Sequence, residues 1–500
     1  MKPNLFNSVK VAAPQTNVFD LSHDVKMSAK MGNLYPIMRT SCVPGDRFKI
    51  GCESLIRFAP LVSPAMHRFD VTMHYFFIPY RILWPNWENF ITNTKNEGGF
   101  LPAAPYIKYT KDVWNLGLSD YLGLPEPPAG LSENVLAYDF AAYQCIYNEY
   151  YRDQNLIEPV DYILKDGENP QDLGKLRKRA WEHDYFTSCL PWAQKGDAVN
   201  LPIGQFNDVP VRVNEAVPGT PVSVSGSVTM NTETEQYNGD WTSFPIDGLF
   251  AKTSDLQAQS TTINDLRRAF RLQEWLERAA RGGTRYVELI KSFFGVNSPD
   301  KRLQRPEYIT GIKTPVVISE VLQTSETATS PQGNMAGHGV SVVAGGDSDY
   351  YCEEHGVIMG IMSVMPKTAY QQGIHRTFLK FDPLDYYWEQ FANIGEQEVF
   401  NKELYAFTAN GNNTFGYIPR YSEYKFENNR VAGEFRNSLD FWHEGRIFAT
   451  EPALNEEFIS CNPANRIFAV TDPEVDNLYC HILNKVEAIR PMPVYGTPTF

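Results

Sequence analysis

Residues 68–80 read RFDVTMHYFFIPY. Phe69, Val71, Met73, Tyr75 and Phe77 fall on one side of a two-residue period, with Asp70, Thr72 and His74 on the other. That alternation predicts a half-buried β-strand. Residues 46–58 repeat it more weakly, with Phe48, Ile50 and Cys52 on one face. Residues 357–365 and 466–471 are apolar runs of strand length, and 480–488 alternate again through Ile482, Val486 and Ala488. Strands therefore occur near both ends of the chain, with hundreds of residues between them. A sheet uniting them needs very long connections. The pattern is that of a mainly β protein, a jelly roll with large insertions, and not that of repeated βαβ units.

Composition bounds the function. The chain has 500 residues, 43% of them hydrophobic, enough for a sizeable core. Its net charge of −14 argues against a free-standing nucleic-acid binder. The seven cysteines, at 42, 52, 145, 189, 352, 461 and 480, contain no C-x-x-C pair. A zinc site or disulfide framework is not expected, and a reducing compartment fits best. The opening stretch MKPNLFNSVKVAAPQTN has no long apolar centre, and no apolar run reaches a membrane-spanning length. No secretory signal and no membrane insertion are expected.

Three regions follow from patterning. Residues 1–31 read as an extended N-terminal arm, and residues 32–195 plus 263–500 as the jelly-roll core with insertions between strands. Residues 196–262 read as an inserted, surface-projecting loop. It holds five prolines and eight acidic against two basic residues. Loops far beyond about 15 residues are usually functional or disordered. Within it, PVSVSGSVT at 221–229 alternates like a short exposed strand. Residues 264–306 reverse the charge, with ten basic and five acidic side chains. Leu266, Ala269, Phe270, Leu276 and Ala280 recur at helical spacing there. Thr262 with Asp265 resembles a capping box, and Gly282-Gly283 ends the helix. A second helix is expected over 284–294, stopped by Gly295.

Catalytic signatures do not emerge. There is no Walker A pattern, no G-x-S-x-G elbow and no G-x-G-x-x-G fingerprint. His443-Glu444 begins an H-E-x-x-H motif, but position 447 is Ile. His355 follows Glu353-Glu354 and reads either as a general base or as a solvated strand-end residue. No cofactor is expected. The rival readings are a carbohydrate-binding jelly-roll protein and a β-rich glycoside hydrolase whose carboxylate pair the sequence does not locate.

Residues 267–308, RRAFRLQEWLERAARGGTRYVELIKSFFGVNSPDKRLQRPEY, resemble the matching stretch of the major capsid protein of gokushoviruses, small single-stranded DNA phages of the Microviridae. FFIPYRILWPNWENFIT (76–92), FTSCLPWAQKG (186–196), YQQG (370–373), FANIGEQ (391–397), YSEY (421–424) and LDFWH (439–443) agree in order. The resemblance implies an eight-stranded viral jelly roll with long insertion loops containing short helices. It further implies sixty copies in a T=1 icosahedral shell around a circular single-stranded DNA genome. A small basic internal packaging protein and a host-surface receptor would be its other partners. The place of action would be the virion, assembled in the host cytoplasm.

Candidate residues follow. Arg267, Arg268, Arg271, Arg281, Arg285, Arg302 and Arg305 read either as DNA-facing or as a solvated helix face paired internally, as Glu274–Arg278 and Glu277–Arg281. Trp84 and Trp87, flanking Pro85, read as interface anchors or core. Val222, Val224, Tyr237 and Trp241 are the candidate host contacts of the inserted loop.

Overall fold

The computed structural model describes residues 15–95, 98–199, 262–322 and 335–495, together with the backbone of four three-residue strands between 211 and 251. Gln194–Ala279 form one compact unit, and Met1–Ala193 with Ala280–Phe500 form the other.

Ten strands build the two main sheets of the larger unit. They are β1 (Asn17–Asp20), β2 (His23–Ala29), β3 (Tyr35–Cys42), β4 (Arg47–Phe58), β5 (Phe69–Pro79), β6 (Glu307–Pro315), β7 (Val317–Leu322), β8 (Met335–Tyr351), β9 (Gly356–Pro366) and β10 (Leu478–Arg490). In one sheet β1 and β2 both pair with β10, which continues through β4 and β8 to β7. The other runs β6-β5-β9-β3. All these pairings are antiparallel. β2 pairs with β10, β3 with β9, β4 with β8 and β5 with β6. Outer strands thus pair with outer and inner with inner, the connectivity of a jelly roll with β1 and β7 added. Met27 faces Cys480 across this closure, so the fold joins the two ends of the chain.

The predicted alternation is realised. Phe69, Val71, Met73, Tyr75 and Phe77 of β5 enter a core with Phe48, Ile50, Cys52 and Ile56 of β4 and Ile482 and Val486 of β10. This is the interleaved filling of two facing sheets. Strand β9 is buried along its whole length. Ile358, Met362 and Val364 face that core, whereas Val357, Met359 and Ile361 join a second cluster on the other side. The second cluster contains helix α1 (Tyr138–Ile146), almost wholly buried, with Leu83, Trp84 and Ile107. Burial on both faces explains why β9 reads as a continuous apolar run. The insertion between β5 and β6 therefore covers the outer face of the second sheet. The insertion between β9 and β10 joins residues near 157 and 185–189 in a third cluster around Phe186, Val399, Phe415 and Phe458.

Helices α2 (Ile263–Arg281) and α3 (Tyr286–Phe294) occupy the predicted positions. Thr262 Oγ1 accepts from the Asp265 backbone N–H at 3.2 Å and donates to its carboxylate at 2.6 Å. Gly295, at φ +68°, ends α3 in the left-handed region.

Two expectations need correction. Within the supposed arm, Asn17–Asp20 and His23–Ala29 are paired strands. The inward face of β2 is only Val25, Met27 and Ala29, alternating with Asp24, Lys26 and Ser28, a short signal diluted by charge. Residues 466–471 form a turn and no strand. Ile467 and Phe468 are fully buried, but their backbones bond the segment at Pro60–Val62, with Val62 N–H donating to Ile467 O at 2.9 Å. The predicted strand at 221–229 lies outside the described residues apart from Thr229.

Candidate functional site

The motifs that hinted at chemistry have structural duties. Gly445 N–H donates to His443 Nδ1 at 2.9 Å, which places the ring proton on Nε2, donated to Phe435 O at 2.8 Å. Burial keeps His443 below the usual histidine range. The His355 ring packs edge-on to Trp87 at 5.7 Å, and its carbonyl accepts from Tyr80 N–H. Among the described residues no three His, Cys, Asp or Glu side chains gather as metal ligands. All seven cysteines are buried free thiols.

The seven candidate arginines do not form one patch. Arg267, Arg268 and Arg271 are exposed on α2, and Arg271 pairs with Glu274. These three belong to the smaller unit. Arg281 binds Glu396 rather than Glu277, with Nε 3.1 Å from Oε1. Arg285 donates to Asn148 O at 2.7 Å and Arg152 O at 3.0 Å and pairs with Glu288. Arg305 lies 3.4 Å from Asp300 and 3.7 Å from Glu149, stacked over Tyr150. Arg281, Arg285 and Arg305 thus hold the larger unit together, and Arg302 stays exposed.

Trp84 is not an exposed anchor. It is fully buried, its Nε1 donating to Asp166 Oδ1 at 2.9 Å, because the second cluster needs a large ring there with a partner for its N–H. Trp87 is half-buried against Tyr80 and Tyr138. Val222, Val224 and Trp241 lie outside the described residues. Tyr237 falls in the short strand Gln236–Asn238, whose side chains are likewise outside them.

Sequence reasoning missed an exposed aromatic band. Between β9 and β10, three short 3₁₀ turns present Phe378, Phe381, Leu384, Tyr386, Tyr387 and Trp388 to solvent, with Phe381 88% exposed. Tyr387 packs on Tyr421, and Trp388 Nε1 donates to Pro383 O at 2.8 Å, so these two rings are held in place. Tyr424 adds to the band. Its signal was an aromatic-rich segment with neither strand nor helix period. Exposed rings gathered in one short segment suit an interaction surface, because Tyr, Trp and Phe are the residues that anchor such surfaces.

The comparisons with known proteins agree with this subunit built to associate. Residues 7–500 match the family model described as capsid protein (F protein). The chain is 34% identical to capsid protein VP1 of Chlamydia phage 1, over 99% of this chain and 97% of that protein. It is 36% identical to capsid protein VP1 of Bdellovibrio phage phiMH2K and 31% identical to that of Spiroplasma virus 4, each over 96% of this chain and 94% of the relative. A near full-length family match, with relatives covered almost end to end, fixes the role as structural and not enzymatic: the chain belongs to the F-protein family of capsid proteins and is a major capsid protein of the Microviridae type.

Proposed function

We propose that sixty copies of this chain assemble in the host cytoplasm into a T=1 shell around a circular single-stranded DNA genome, with subunits joined partly through the aromatic band at 378–388. The band carries this reading, because an isolated subunit gains nothing from exposing so much ring surface. A shell of subunits at −14 each cannot neutralise a phosphate backbone unaided. A small basic internal protein supplies the missing cations. The inserted loop 196–262 is the element for the host receptor, and its excess of eight acidic over two basic residues suits a surface turned away from the genome. Among the candidate arginines of the larger unit, Arg302 is the exposed one left to meet the genome.

The test is electron microscopy of the purified protein, expected to show closed shells, against a deletion of residues 205–255. The deletion should leave shells intact and abolish adsorption to the host. A deletion variant that fails to assemble, or that still adsorbs, removes the host-contact reading.

A further inference from the structure

Four arginines, Arg152, Arg179, Arg281 and Arg285, line a cavity of about 700 Å³ in the larger unit. Its floor is His74 and Phe76 of β5 with Tyr308 of β6. One wall is the turn Tyr151–Asn155 that follows α1, another is Arg179–His183, and Arg281–Glu288 form the rim. The volume lies within the roughly 300–1,000 Å³ typical of small-ligand sites.

Its ion pairing is uneven. Among the described residues, Arg281 and Arg285 have carboxylate partners, whereas Arg152 and Arg179 have none within 4.0 Å. Arg179 donates instead to the Thr72 and Ser363 hydroxyls and leans on the Tyr151 ring. Arg152 donates to Ile157 O, and its buried Nε has no hydrogen-bond partner among the described residues. The acidic side chains in the lining are already occupied. Asp153 accepts from the backbone of Asn155 and Leu156, Glu182 binds Lys313 and Lys367, and Glu288 binds Arg285. His74, held low by burial and by Arg179, is neutral, and its Nδ1 lies 2.8 Å from the Tyr151 hydroxyl. Two guanidinium groups with no carboxylate within ion-pair distance thus border a roomy, aromatic-lined space.

We propose that this cavity holds one nucleotide of the enclosed strand, with a phosphate against Arg152 and Arg179 and the base against the half-exposed ring of Tyr308. Planar rings beside guanidinium groups are how proteins grip unpaired nucleotides without reading sequence. An aromatic floor distinguishes the site from one built for a bare anion. The proposal rests on the genome-enclosing reading, and it moves the contact away from the α2 arginines.

The experiment measures binding of a fluorescein-labelled ten-residue oligothymidylate to full-length subunits by anisotropy at two salt concentrations. Arg152→Gln and Tyr308→Ala should each weaken binding about tenfold, and Arg152→Gln should flatten the salt dependence by about one charge. Arg271→Gln should leave binding unchanged. In parallel, a 5-iodouracil oligonucleotide photo-crosslinked to the unaltered protein should mark Tyr308, a result independent of how the variants fold. Crosslinks confined to other segments, or variants that bind like the parent, would overturn the site. So would inorganic phosphate competing as well as the oligonucleotide. If the unaltered protein binds no oligonucleotide at all, the genome-facing reading itself fails.

Discussion

Lys380 Nζ lies 2.8 Å from Glu423 Oε1, and both side chains are almost completely buried beneath the exposed aromatic band. Gln397 Nε2 donates to the second carboxylate oxygen at 2.8 Å, and the Tyr424 ring covers the ammonium at 3.8 Å. Burial opposes both charges, but the hydrogen bonds from Lys380 and Gln397 hold Glu423 below the usual carboxylate range, and Glu423 raises Lys380. Both groups are therefore ionised at neutral pH. Breaking such a pair from one side leaves an unpaired buried charge, at a cost of about 3–5 kcal/mol. Lys380→Met should lose that much in urea unfolding, whereas Lys380→Met with Glu423→Gln should lose much less than the two single changes summed. Because the Glu423 value is depressed, its contribution is present above the unfolded carboxylate range and disappears as pH falls through the lowered value.

The band above this pair should matter to association and not to folding. Phe381 is 88% exposed, so Phe381→Asp should shift subunit stability by no more than about 0.5 kcal/mol. A carboxylate forced into a subunit contact has no partner and resists desolvation. Sedimentation should find folded, unassembled subunits and no shells. Normal shells from the Phe381→Asp protein would exclude the band from the contacts.

Trp84 makes the opposite case. Its indole is fully buried and donates to Asp166, so Trp84→Ala should cost about 3–5 kcal/mol in subunit unfolding. Trp84→Phe should recover most of the packing yet still leave the Asp166 hydrogen bond unmade, for a loss of about 1 kcal/mol. A loss of assembly without a loss of subunit stability would instead restore Trp84 to the interface.

These contrasts show which features a sequence exposes. β5 was legible because five apolar residues alternate without interruption, and Phe69 to Phe77 all reach the predicted core. The ends of α2 and α3 were legible because Thr262 and Gly295 act locally, through caps needing no tertiary partner. β2 was not, because its pairing with β10 spans the chain and only Val25, Met27 and Ala29 mark it. The 466–471 run misled because burial alone does not separate a strand from a buried turn. Trp84 and Phe381 show the same ambiguity in aromatic residues, since ring type says nothing about which side of the surface it occupies. The Arg152–Arg179 cavity was invisible because β5, the turn after α1 and the segment 179–183 meet only in the folded subunit.

The buried Glu444 gives a pH test of the subunit. Its carboxyl is 2% exposed, and Oε1 has no hydrogen-bond partner among the described residues. Burial pushes it up to about 8, although Arg466 and the backbone N–H groups of Ile467 and Ala464 pull the other way, and Asp440 adds to the rise. At neutral pH the folded chain therefore keeps a proton there that the unfolded chain releases above about 4.5. The folded state binds more protons throughout that window, so stability falls as pH rises from about 4.5 to about 8 and then levels off. The slope from this group cannot exceed about 1.4 kcal/mol per pH unit. The neighbouring histidines do not mimic it, since burial pushes His67 down to about 4 and holds His443 below its usual range. Glu444→Gln keeps the shape and removes the titration. The variant should match the parent near pH 4.5 and exceed it increasingly toward pH 8 in urea unfolding of isolated subunits. A difference between the two proteins that does not change with pH would show that Glu444 is ionised in the folded chain.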